Sequence, residues 1–120
     1  MSRNKNFHRP ANYADQQLSL AIRILAVGAG DVRQRLVQAY YQFHPLTPQH
    51  FPKHLREDFA WVMSQLTRYA PEINFEGNVQ KGAVEKTCQM IRCSTGVKIA
   101  ERLLFLQDAV GEYVRQHGVG

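Results

Sequence analysis

Long apolar runs are missing from this chain. No stretch approaches ~18 residues, the length a helix needs to cross a bilayer, and a membrane span is excluded. Missing too is the apolar segment that follows a basic N-terminus in a secretory leader. After MSRNKNFHRPANYADQQ, the first apolar stretch, residues 18–27, is interrupted by Arg23 and offers no small-residue cleavage site. Cysteine is scarce. Cys88 and Cys93 stand five residues apart, a rise of roughly 7.5 Å on one helix and beyond disulfide reach. Two reduced thiols and a cytoplasmic location are expected. Period-two alternation between turn signals is absent, so strands are not expected.

What is present is the composition of a folded domain. The 120 residues are 44% apolar and 21% charged, enough to bury about two-thirds of the unfolded surface in one core. Lys and Arg number 15 against 10 Asp and Glu, a net charge of +5. Arg3, Lys5 and Arg9 supply three of those charges, and no acid lies in residues 1–10. The remaining charges of both signs are interleaved, so the surplus belongs largely to the N-terminal stretch.

Residues 1–12 are polar, contain Pro10 and show no periodicity, and they read as a basic flexible tail before a single all-α domain over 13–118. Five helices are expected. The first covers 13–27 through Leu18, Ala21, Ile22 and Leu25, and Gly28-Ala29-Gly30 stops it. Asp31 with Gln34 forms a capping box for a second, carried by Val32, Leu36, Ala39, Tyr40 and Phe43 and closed before Pro45. The third runs over 52–69 with Leu55, Phe59, Val62, Leu66 and Tyr69 on a narrow arc. A fourth over 79–92 turns Ala83, Thr87, Met90 and Ile91 inward. Ser94-Thr95-Gly96 reads as a break, and a fifth helix spans 97–116, ended by Gly118. The whole is a compact bundle.

The last helix is apolar over much more than half its circumference: Leu104 and Phe105 fall outside the face made by Ile99, Leu103, Leu106, Val110, Tyr113 and Val114. That places it centrally in the bundle or at a subunit seam. Arg102, at the edge of the apolar face, needs an acidic or carbonyl partner. Trp61 sits off the apolar arc of its own helix, so another element covers it or it meets a partner.

Several stretches resemble known motifs. Residues 22–32 are similar to the strand and glycine turn of a dinucleotide-binding fold, but the third glycine position holds Arg33 and no acidic second strand follows. Cys93-Ser94-Thr95-Gly96-Val97 resembles the phosphate loop of protein tyrosine phosphatases. The position of that family's phosphate-clamping arginine is Ile99 here, leaving transferred charge unstabilised. Arg3-Asn4-Lys5-Asn6-Phe7-His8 has the R-N-x-x-x-H spacing of HEPN-type helical ribonucleases, which are small all-α dimers, but it lies in the tail before Pro10. His44, His50 and His54 are interrupted by Pro52 and lack a nearby acid or cysteine, so no metal or other cofactor is expected. Residues 31–43, with Arg33, Gln34, Arg35 and Gln38, have the form of a recognition helix in a helix-turn-helix.

Two candidate sites emerge. Arg92, Ser94, Thr95 and Lys98, joined by Arg33 and Arg35, would gather cations and hydroxyls at a helix N-terminus, a place for phosphate, nucleic-acid backbone or an acidic partner. The plainer alternative is that Thr95 caps the helix. Trp61, Leu104 and Phe105 would make a partner interface. The leading expectation is a non-catalytic intracellular interaction or regulatory module, binding a protein partner or itself as a homodimer. The alternative is a nucleic-acid-binding regulator using the basic tail with Arg33, Arg35, Arg92 and Lys98. A HEPN-like ribonuclease stands third.

Overall fold

The helical periods in the sequence resolve, in a computed structural model, into an all-α bundle of five helices with a small hairpin. The structure describes residues 2–117, with side chains from Arg9 onward. Helix α1 spans Ser2–Val27, α2 Val32–Phe43, α3 Arg56–Leu66, α4 Ala83–Met90 and α5 Cys93–His117. Strands β1, Glu72–Ile73, and β2, Val79–Lys81, lie between α3 and α4.

The start of the bundle lies earlier than the apolar pattern suggests. Ala11 and Ala14 are fully buried in line with Leu18 and Ala21, so helix α1 already packs in the stretch read as aperiodic. Ala11 and Ala14 carry the stripe immediately N-terminal to Leu18, where the sequence offers no large apolar residue in register.

Asp31 caps α2 as its spacing predicts. Its carboxylate accepts from the backbone N–H of Arg33 at 2.9 Å and Gln34 at 3.3 Å, while Gln34 Oε1 accepts from Asp31 N–H at 2.8 Å. Gly30, at φ 84°, supplies the left-handed turn before the cap. Helices α1 and α2 run antiparallel: Gln17 donates to the Gln42 carbonyl and Arg35 to that of Leu25. Helices α1 and α5 are also antiparallel, with Gln107 Nε2 3.4 Å from Asp15 Oδ1 and 3.3 Å from Ser19 Oγ.

The core between them contains Leu18, Leu36, Phe43, Phe51, Phe59, Ile99, Leu103 and Leu106, each at most 2% exposed. Burial of side chains this size stabilises by about 1.5–3 kcal/mol each before conformational entropy is set against it. Phe51 and Phe59 stack at 4.5 Å, fixing the 3₁₀ turns over 48–55 against α3.

Four helix expectations need correction. The third helix begins at Arg56, preceded by a 3₁₀ turn at Lys53–Leu55, and ends at Leu66. There the Thr67 hydroxyl donates to the Met63 carbonyl at 2.8 Å. The fourth is shorter at both ends: it stops at Met90, with Ile91 extended, and it starts late because residues 79–81 pair with β1, across a turn whose Asn74 Oδ1 accepts from Glu76 and Asn78 N–H. Local turn chemistry, with Gly77 at φ 88°, wins there over helix propensity. Met90, expected inward, is half-exposed. The break falls at Ile91 and Arg92, not at Ser94-Thr95-Gly96, which lie inside α5. Gly96 is buried at the crossing with α2, where an added Cβ would sit 3.0 Å from Val32 Cγ1. It serves close approach instead of helix termination. The expected stop at Gly118 lies outside the described residues.

Candidate functional site

The predicted anion site divides when placed in three dimensions. Arg92, Ser94 and Lys98 are exposed around the start of α5, and Thr95 is half-buried in its first turn. The N–H of Gly96 reaches back to the Arg92 carbonyl at 3.0 Å, so the helix opens at Arg92 and Thr95 does not cap it. Arg33 and Arg35 serve the helix junctions. Arg33 pairs with Asp31 at 2.9 Å and donates to the Ile91 carbonyl at 3.1 Å, tying the end of α4 to the start of α2. Arg35 holds the C-terminal carbonyl of Leu25 at 3.2 Å, as suits a cation at a helix end.

Asp31 brings negative charge into the same corner. The Arg33 guanidinium beside it, reinforced by the backbone N–H groups it caps, lowers its carboxyl pKa to about 2, and Arg33 is raised in turn. The Cys93 thiol stands 3.7 Å from Asp31 Oδ2. The two cysteines therefore belong to different helices: Cys93 is exposed, and Cys88 is buried in α4, where desolvation pushes its thiol up to about 11. Beside this corner an open groove of about 540 Å³ runs between α2 and α4, with Arg33 and Lys81 facing Asp31 and Glu85. Its charges balance, so the groove lacks the one-sided field of an anion site.

The aromatic and apolar residues tell a clearer story. Arg102 finds the acidic partner its position required, Asp58, at 3.1 Å. Its guanidinium also lies 4.5 Å over the Trp61 ring. Helix α5 is thus the element that half-covers Trp61, clamping α3 from above. Leu104 and Phe105, by contrast, are 47% and 48% exposed, and Val97 joins them on the outside of α5. With about 100° per residue, Val97, Leu104 and Phe105 share a sector of about 100° with Glu101, Asp108, Glu112 and Arg115. Arg115 neutralises Glu112 at 2.6 Å, which leaves Glu101 and Asp108 without an ion pair among the described residues. The outer face of α5 is an apolar stripe with an acidic margin.

A second such face was not singled out from the sequence. Tyr13, Leu20 and Val27 are exposed on α1 at intervals of seven, a spacing legible in the sequence once α1 is known to bury the opposite side. Arg9 and Arg23 lie in the same sector of about 80°, and no acid does. Asp15, the one acid in residues 9–27, sits on the α5 side with Gln107. A third apolar outlier is the hairpin, where Phe75 is 99% exposed beside Ile73 and Val79.

Among the described residues no three His, Cys, Asp or Glu side chains converge as metal ligands. His50 instead accepts the Thr47 N–H through Nδ1 at 3.0 Å. The side chains of the R-N-x-x-x-H stretch lie outside the described residues. No helix among the described residues is long and apolar enough to cross a membrane. Comparison with family models, with curated proteins and with solved structures finds no match for this chain.

Proposed function

We propose that this chain is a helical interaction module that binds a protein partner through the outer face of α5. The observation that carries the reading is the placement of Val97, Leu104 and Phe105, large apolar side chains left half-exposed on a helix of 25 residues whose other side is core. Leaving such side chains in water forfeits about 1 kcal/mol or more apiece, which a partner recovers on covering them. The acidic margin of Glu101 and Asp108 gives that surface a preferred partner charge, and with it specificity.

This reading is favoured over nucleic-acid binding because Arg33 and Arg35 are occupied at helix junctions, and Asp31 pairs with Arg33 beside the start of α5. The test is photocrosslinking in the native cell, with a photoreactive residue at position 105 and a control at Ser64 on α3. A discrete adduct from position 105, absent from position 64, is expected. Equal or absent adducts at both positions would sink the proposal. A gel shift that weakens steeply with salt would restore the nucleic-acid reading.

A further inference from the structure

The outer faces of α1 and α5 border one another along the seam where Ser19 Oγ and Gln107 Nε2 lie 3.3 Å apart. Each carries exposed apolar residues, and their margins have opposite signs. On α1 stand Leu20 and Val27 with Arg23; on α5 stand Val97, Leu104 and Phe105 with Glu101 and Asp108. Neither Arg23 nor Glu101 has an ion pair among the described residues.

We propose that the occupant of this surface is a second copy of this chain, related by a two-fold axis parallel to the helices, so that α1 of each protomer lies on α5 of the other. The inference rests on the reading of the α5 outer face as an interaction surface, and it names the partner.

Charge selects this arrangement among the symmetric ones. Packing α5 on its own copy would bring Glu101 and Asp108 against like charges, and packing α1 on its own copy would do the same for Arg23. The crossed arrangement sets basic against acidic in both contacts. It also fixes the register. A two-fold axis along the helices leaves every residue at its own height, and within one protomer Asp15 lies level with Gly111 and Ser19 with Gln107. One turn further along, Arg23 is level with Leu103. The partner's Arg23 therefore arrives beside Glu101 and Leu104, its Leu20 beside Phe105, and its Val27 between Val97 and Glu101. Neighbouring helices in the resulting four-helix layer are all antiparallel, as in an up-down bundle.

The size fits as well. Residues 9–27 at about 1.5 Å each span roughly 28 Å, and two helices are roughly 20 Å wide. Roughly 560 Å² in projection from each protomer approaches what a specific interface buries.

The experiment is sedimentation equilibrium of the full chain, with charge-reversed variants whose folding is checked by circular dichroism. Wild type is expected to dimerise, more weakly as salt rises from about 0.1 to about 1 M. Arg23→Glu alone and Glu101→Lys alone should each weaken the dimer roughly 100-fold, about tenfold at each of two equivalent contacts. Mixing the two variants should restore a heterodimer of wild-type affinity. One contact then sets the introduced carboxylate at position 23 against the introduced ammonium at position 101, and the other keeps Arg23 against Glu101. Wild type remaining monomeric at about 1 mM overturns the proposal. So does Arg23→Glu dimerising like wild type, or a mixture that fails to re-form. A monomer that still crosslinks from position 105 to a different protein would leave the interaction reading standing and remove only the second copy.

Discussion

Two glycines in α5 put the helix packing to a controlled test, since the same substitution should act with opposite sign at each. An alanine in place of an interior helical glycine stabilises the helix by about 1 kcal/mol. At Gly111 the new Cβ would meet the flexible ends of Asp15, Arg115 and Gln107 at 3.3–3.6 Å, which can yield. Gly111→Ala should therefore stabilise by most of that amount. At Gly96 the new Cβ would lie 3.0 Å from Val32 Cγ1 and 3.5 Å from Leu36 Cδ1. Val32 is β-branched, its rotamer is restricted in a helix, and it opens α2 directly after the Asp31 cap. Overpacking a contact of this kind costs about 1–3 kcal/mol, which exceeds the helical gain. Gly96→Ala should thus destabilise by about 1 kcal/mol, and adding Val32→Ala should recover part of that loss. Urea unfolding followed at 222 nm separates the variants by about 2 kcal/mol, or roughly 8 °C in thermal midpoint. If Gly96→Ala stabilises as much as Gly111→Ala, helices α2 and α5 do not approach as described and the placement of the whole α5 face is wrong.

Arg102→Ala removes both the ion pair to Asp58 and the cation over Trp61, all partly solvated, so a loss of about 1 kcal/mol is expected. Because Trp61 is the only tryptophan, its emission should shift to the red; an unchanged spectrum would show that Arg102 does not cover the ring. Asp31 has a folded pKa of about 2 against an ordinary 3.8, so its stabilising contribution is complete above 3.8 and disappears as pH falls through about 2. The stability difference between wild type and Asp31→Asn should follow that window, and a difference independent of pH from 5 down to about 2 would refute the assigned pairing. A water-soluble thiol reagent at neutral pH should modify Cys93 quickly and Cys88 only on unfolding; two equally fast thiols would contradict the burial of Cys88.

The helical class and most of the packing faces were legible in the residue pattern alone. Spacings such as Leu36, Ala39, Phe43 and Ile99, Leu103, Leu106, Val110 repeat the helical period, and each of these residues is buried. The Asp31–Gln34 cap was equally legible because its bonds span only three residues. Arg102 announced its need for a partner by lying on the edge of an apolar face, though not that the partner would be Asp58, 44 residues away. The hairpin was invisible to pattern reading, since neither strand has a buried face to impose alternation. Gly96 was misread because one chain shows a glycine's missing side chain but not the neighbouring helix that fills its space. Above all, the candidate anion site combined Arg92 and Lys98, which stay exposed, with Arg33 and Arg35, which the fold assigns to helix junctions. A charge read along the chain is free; only tertiary structure decides which carbonyl or carboxylate it meets, and so which charges remain for a partner.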